Sequence, residues 1–159
     1  MSQLHFESCD PEVAPASELL SEMRDELNEV YGAFDRLDNP KLDPAELRPP
    51  TGGYLVGWLG EEAVAGGGVR LLSDGVNGVG EIKRMFVRPS ARSQGVAGAL
   101  LEALEDLATR LGYGAVRLDT GPKQPHAEAL YRRTGYVEIA PYNANPFACF
   151  WGEKDLRAN

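Results

Sequence analysis

The sequence predicts an α/β fold, a strand-built sheet carrying helices. Two stretches predict it. The first is a strand-forming segment, Met85-Phe86-Val87. It passes through a turn marked by Pro89 and Ser90 and the small-residue segment Arg92-Ser93-Gln94-Gly95-Val96-Ala97-Gly98 into a long amphipathic helix. The second is the return from that helix. Gly112-Tyr113-Gly114 is so short that strand 115–119 follows at once, and strand, helix and strand joined in this way make a right-handed parallel crossover.

In chain order, Leu4-His5-Phe6-Glu7 alternates apolar and polar, so residues 4–8 read as a first strand ended by Asp10-Pro11. Residues 15–31 turn helical, with Leu19, Leu20, Met23, Leu27, Val30 and Tyr31 on one face. Residues 32–50 contain Pro40, Pro44, Pro49 and Pro50 and read as loop with one helical turn. Strand 54–59 ends at the turn signal Gly60-Glu61-Glu62, and strand 63–72 follows. Gly66-Gly67-Gly68 lies inside that second strand, which points to a bulge or a close backbone approach. A polar loop over 73–80 leads to a central strand over 81–88.

The long helix rests on periodicity: Val96, Ala99, Leu100, Ala103, Leu104, Leu107 and Leu111 recur at three and four. Glu102, Glu105, Asp106 and Arg110 take its other face, and Gly112 stops it. Pro125 opens a further helix that Gly135 closes, and after a loop over 141–146 the last strand is placed at 147–151.

A chain of 159 residues is expected to form one domain over 1–159. Hydrophobic content of 43% and charged content of 25% are those of a globular protein. Twenty-four acidic against 16 basic side chains give a formal charge of −8, which disfavours a nucleic-acid partner and mildly attracts cationic substrates, besides serving solubility. No leader-like segment and no membrane-length apolar run is present, so a cytoplasmic protein without a membrane partner and with Cys9 and Cys149 reduced is expected. His5, His126 and the two cysteines lack metal-ligand spacing, so no metal site is expected.

A helix N-terminus leaves backbone N–H groups without intrahelical partners and carries partial positive charge. Gly95, Ala97 and Gly98 are small enough to let a phosphate approach those amides. The same residues also suit a tight turn in which glycine only relieves strain.

Residue order narrows the choice. Arg92-Ser93-Gln94-Gly95-Val96-Ala97 fits Q/R-x-x-G-x-G/A, and Glu81-Ile82-Lys83-Arg84-Met85-Phe86-Val87 stands before it. Downstream, Gln124-Pro125-His126-Ala127-Glu128-Ala129-Leu130-Tyr131-Arg132-Arg133-Thr134-Gly135-Tyr136 is similar to N-x-x-A-x-x-L-Y-x-x-x-G-F/Y. In these motifs the chain resembles the GCN5-related N-acetyltransferases, the GNAT family, over about residues 53 to 156, with a tail like that of bacterial small-molecule members.

The resemblance implies a central mixed, twisted sheet of six to seven strands with helices on both faces, in which strands 4 and 5 are parallel and splayed. It implies acetyl-coenzyme A as cosubstrate. The pyrophosphate would rest on the amides of Gln94, Gly95, Val96, Ala97 and Gly98, framed by Arg92. Ser93 and Ala97 stand where many members have glycine, and Ser93 adds a Cβ at a tight point. The pantetheine arm would run along Phe86 and Val87, and Gln124, in place of the more usual Asn, would stay near it.

Tyr131 matches the tyrosine that protonates the departing thiolate, the alternative being a ring packed under the sheet. Glu81 stands where members place a base glutamate, the alternative being a carboxylate paired with Lys83 or Arg84. His126 is a second candidate base. Tyr31, Phe34, Arg84, Tyr142, Asn143, Asn145 and Phe147 are implied beside the acceptor. The expected reaction is direct attack by a small molecule's primary amine in a ternary complex, by a monomer or homodimer. A peptide N-terminus is the competing acceptor, and a non-catalytic coenzyme-A sensor or a nucleotide-binding module are the alternatives to an acetyltransferase.

Overall fold

Strand alternation divides the interior in two. Leu55 of the second strand packs with Leu100, Leu104 and Tyr131, whereas its neighbours Tyr54 and Val56 pack with Leu19, Leu47 and Phe86. Each face of the sheet therefore buries its own apolar cluster under its own helices. In this computed structural model, which describes residues 3–32, 42–73 and 78–157, the sheet has seven strands. They are β1 (Leu4–Ser8), β2 (Gly53–Leu59), β3 (Glu62–Ser73), β4 (Val79–Val87), β5 (Ala115–Thr120), β6 (Val137–Glu138) and β7 (Phe150–Asp155). Their order is β1-β2-β3-β4-β5-β7-β6, and only β4 and β5 run parallel. Helix α1 (Ala16–Tyr31) covers one face, and α2 (Val96–Arg110) and α3 (Pro125–Arg133) cover the other. The helical turn expected among the prolines is a 3₁₀ turn at Pro44–Leu47, closed by a reciprocal capping box between Asp43 and Glu46. Phe34 lies outside the described residues.

Two strands have bounds clearly different from expectation, and one short strand was not expected. The last strand runs over Phe150–Asp155, not over 147–151; it starts later because the preceding loop uses its amides on its own side chains. Asn143 Oδ1 accepts from the Asn145 N–H at 3.3 Å, and Asn145 Oδ1 accepts from the Phe147 N–H at 3.0 Å. Strand β6 has two exposed residues, too few to show a period. Strand β4 starts at Val79, since Val79 and Gly80 pair with Ala115 and Val116 across the crossover. Glu105 of α2, expected on the outer face, is only 12% exposed; it accepts from the Tyr136 hydroxyl at 2.8 Å and from Lys154 at 3.0 Å.

The glycine triplet marks both a bulge and close approaches. A Cβ on Gly66 would stand 2.1 Å from the Tyr54 hydroxyl, and one on Gly68 would stand 2.6 Å from Leu47. Tyr54 is 2% exposed and its hydroxyl has no hydrogen-bond partner among the described residues. Gly66→Ala is therefore expected to lower stability by about 2 kcal/mol in denaturant titrations, as overpacking does. Tyr54→Phe, which removes an unsatisfied buried hydroxyl, is expected to be neutral or stabilising by about 1 kcal/mol and to recover part of the loss in the double variant. A Gly66→Ala protein as stable as the parent would contradict this packing.

Strand β4 is where the sheet parts. Its parallel ladder with β5 lasts three pairs, from Val79↔Ala115 to Glu81↔Arg117. Beyond Glu81, β4 continues beside β3 alone, while β5 continues beside β7. At the parting, Gly68 pairs with Lys83 and Gly66 with Phe86, so Arg84 and Met85 together oppose Gly67. Arg84 takes φ +61°, a left-handed conformation costing about 1 kcal/mol for a residue with a Cβ.

Candidate active site

The turn before α2 is built to expose amides. Gly95 caps the helix at φ +79°, and Ser93, the residue with a Cβ where glycine was more usual, is also left-handed at φ +64°. The first intrahelical bond runs from the Ala99 N–H to the Gly95 carbonyl at 3.2 Å, so the N–H groups of Val96, Ala97 and Gly98 point out of the helix end. Among the described residues, nothing lies within 4 Å of a Cβ position on Gly95, and Gly98 meets only a Leu130 methyl at 3.8 Å. An anion the size of a phosphate has room there. Gln94 donates to the Ser90 carbonyl at 3.3 Å, and Arg92 donates to the Val87 carbonyl at 2.8 Å, so both hold the turn in shape. Arg92 also lies over the Phe86 ring and donates to Glu26 at 2.7 Å. Phe86 itself is buried against α1, so only its backbone is presented at the parting. Arg88 is bound in the same way by Glu22 at 2.6 Å, so one acidic row of α1 clamps both ends of the turn. The four-residue spacing of Glu18, Glu22 and Glu26 carried that signal in the sequence.

Where β4 and β5 part, a cleft opens. One wall is Ile82, Lys83, Arg84 and Met85 of β4, and the other is Asp119 and Thr120 of β5 with Gly121. Met23, Leu27 and Tyr31 of α1 close it on one face of the sheet, and Ala127 and Tyr131 of α3, with Gln124 at that helix's start, close it on the other. Asn145 and Phe147 complete it, with the Phe147 ring 5.0 Å from that of Tyr31. Gln124 accepts from the Tyr31 hydroxyl at 3.3 Å, so the longer amide links the two helices at the cleft edge.

Tyr131 is 7% exposed, its ring stacked on Phe150 at 6.4 Å and tilted against Tyr136 at 5.7 Å. Its hydroxyl reaches the cleft, 3.8 Å from the Met85 sulfur. Burial first, and the Asp119 charge second, push its pKa well above the ordinary tyrosine value. The ring thus packs under the sheet as one reading expects, and the residue also lines the cleft.

Glu81 is fully buried and, like Tyr142, is not among the residues that line the cleft. One carboxylate oxygen accepts from Arg70 at 2.7 Å; the other accepts from the Tyr142 hydroxyl at 2.7 Å and lies 3.7 Å from Lys83. Arg70 is held in turn by Glu46 at 3.0 Å. Tyr142 therefore stands in contact with Glu81, and burial, then the Glu81 charge, push its pKa far up. His126 is exposed on α3 and is not among the side chains that line the cleft.

Two residues at the site were not singled out in the sequence. Arg70 is the first partner of Glu81, and no local spacing announces a pairing made across the β3–β4 ladder. Asp119, next to the last residue of β5, lines the cleft and accepts from Asn143 at 2.6 Å and Asn145 at 3.4 Å. Its place at the carboxyl end of a parallel strand was the available signal. Against the chain's net charge of −8, the cleft sets Lys83 and Arg84 against the single carboxylate of Asp119. The attraction for cations expected from composition is thus not repeated locally. No helix among the described residues is long and apolar enough to cross a membrane.

Among known proteins, the acetyltransferase (GNAT) family profile matches residues 19–136. An IAA acetyltransferase of Azospirillum brasilense is 33% identical over 147 residues, covering 90% of this chain and 94% of its own. A solved structure described as a candidate acyl-CoA N-acyltransferase of Klebsiella pneumoniae superposes with a TM-score of 0.74 at 31% identity, over 97% of this chain and 98% of that one. A GNAT acetyltransferase of Elizabethkingia anophelis, solved with acetyl-CoA bound, shares the fold with a TM-score of 0.64 at 14% identity, over 96% of this chain and 97% of that one. With the parted parallel strands and the open turn before α2, these likenesses settle the family: the chain belongs to the GNAT acetyltransferases and is an acyltransferase.

Proposed function

We propose that the enzyme moves an acetyl group from acetyl-coenzyme A to the primary amine of a small molecule, by direct attack in a ternary complex. The observation that carries this reading is the three-pair β4–β5 ladder, which leaves an opening with the Tyr131 hydroxyl in it. The amides of Val96, Ala97 and Gly98 hold the cosubstrate's pyrophosphate, with Ser93, Gln94 and Gly95 shaping the turn and Arg92 bracing it. The backbone of β4 past Glu81, through Phe86 and Val87, offers an unpaired edge along which an amide-bearing arm can lie. Gln124 stands at the same cleft. Acetyl-coenzyme A supplies the activated acyl group.

The amine must lose a proton as it attacks, and Glu81 receives it through the Tyr142 hydroxyl, which touches its carboxylate. Tyr131 donates its proton to the leaving thiolate as the carbon–sulfur bond breaks. Holding both reactants in one cleft supplies much of the rate. A cleft walled by Tyr31, Met23, Leu27 and Phe147 suits a small acceptor, and the Azospirillum relative's name supports the same class.

Calorimetry with coenzyme A, acetyl-coenzyme A and ATP tests the cradle: the first two bind and ATP binds weakly. Thiol release from acetyl-coenzyme A over a panel of small amines and short peptides then tests transfer. Binding without release from any amine would make the protein a sensor. Release with peptides alone would move the acceptor to a protein N-terminus.

A further inference from the structure

We propose that the acceptor is an amino acid in the chemical sense, a primary amine and a carboxylate a few bonds apart, its carboxylate taken by Arg84 and its amine by Asp119. This rests on the acetyl-transfer reading of the cleft.

Arg84 is the strained residue of the bulge, held at φ +61° in the cleft wall. Strain of this kind persists where the surroundings enforce it, and it gathers at functional sites. Burial, and then the like charge of Arg24, pull the pKa of Arg84 down, while Asp119 and Glu81 act the other way. A guanidinium remains charged through such a shift and carries five N–H donors, so a carboxylate reaching it beside its existing partners gains a charge-assisted pairing in a partly desolvated place.

Asp119 offers the complementary pole. Its carboxylate is fixed by Asn143, and Asn143 accepts in turn from the Trp151 indole N–H at 2.8 Å. A carboxylate has about four acceptor positions, so two amide donors leave capacity for an amine. Asp119 and Tyr131 line the same cleft, so an amine at Asp119 shares it with the thiolate's proton donor. Met23, Leu27 and Phe147 supply an apolar wall for the rest of the molecule. A polyamine would set its second cation against Arg84 and Lys83, and a peptide N-terminus has no carboxylate beside its amine.

The test uses the full chain with saturating acetyl-coenzyme A and two matched trios: phenylalanine, its methyl ester and 2-phenylethylamine, and leucine, its methyl ester and isopentylamine. The free amino acid of at least one trio is expected to exceed its ester and its amine in kcat/KM by about 30-fold, the worth of one charged pairing. Esters carry the less basic amine, so reactivity alone would favour them. Equal rates for acid, ester and amine overturn the Arg84 assignment while acetyl transfer to small amines stands. No thiol release from either trio, with acetyl-coenzyme A still bound, overturns transfer to such amines and this proposal with it. In Arg84→Gln the acid-over-amine ratio is expected to fall to about threefold or less, and a retained 30-fold ratio overturns the assignment. Melting and acetyl-coenzyme A affinity report whether that variant is folded; if it is not, the unaltered chain's ratios decide alone.

Discussion

Replacing Tyr131 by Phe is expected to lower kcat by about 100-fold or more while changing acetyl-coenzyme A affinity by less than about twofold. The hydroxyl is the only group removed, and its one hydrogen-bond contact among the described residues is a weak one to the Met85 sulfur at 3.8 Å. The ring keeps its stacking on Phe150 and its tilted contact with Tyr136, so stability should move by less than about 1 kcal/mol. A proton donor must carry its proton at the working pH. Burial, aided by Asp119, raises the Tyr131 pKa, so the protonated form persists through neutral and alkaline solution. The alkaline fall in kcat that belongs to this group therefore lies above the ordinary tyrosine value of about 10. Stopped-flow detection of free thiol, with calorimetry on the same samples, separates turnover from binding. A Tyr131→Phe enzyme with the parent's kcat would remove the acid assignment.

Much of this site was legible in the sequence wherever chemistry is local. The helix behind Gly95 announced itself by period, and its left-handed cap by the small residues around it. The order strand, helix, strand with its short return through Gly112 made β4 and β5 legible as a parallel pair. Registers across the sheet were not legible, because they are fixed by the summed packing of both faces. Arg70 stands opposite Glu81 only once Gly66-Gly67-Gly68 admits Tyr54, Leu47 and Leu104 against β3. The Arg84–Met85 bulge has no local mark either, since neither residue favours a left-handed turn. The segment 147–151 was expected as a strand, yet Phe147 is drawn to Tyr31 by a loop whose Asn143 and Asn145 are pinned to Asp119, 24 and 26 residues earlier in the chain.

Glu81→Gln is expected to cut kcat by about 100-fold and to flatten its rise with pH at saturating acceptor, because an amide accepts no proton. Rate grows with pH where a base must first be unprotonated, so loss of the base removes that limb. The same substitution disturbs a buried ion cluster. It neutralises a fully buried carboxylate that Arg70 and Lys83 share, and leaving those cations short of a partner is expected to lower stability by about 2 kcal/mol or more, with Glu46 still beside Arg70. A slow Glu81→Gln enzyme therefore has two explanations, and Tyr142→Phe separates them. That change breaks the 2.7 Å contact to Glu81 but leaves the carboxylate and both cations charged, so stability should fall by about 1 kcal/mol only. If protons leave the amine through Tyr142, this variant is slowed by at least about tenfold and loses the same pH limb. If Glu81 only anchors the parting of β4 from β5, Tyr142→Phe keeps the parent's pH profile, and Glu81→Gln is slowed only as far as it is unfolded. Parallel pH profiles of the two variants with one acceptor, beside their denaturant curves, decide between a proton path and a structural anion.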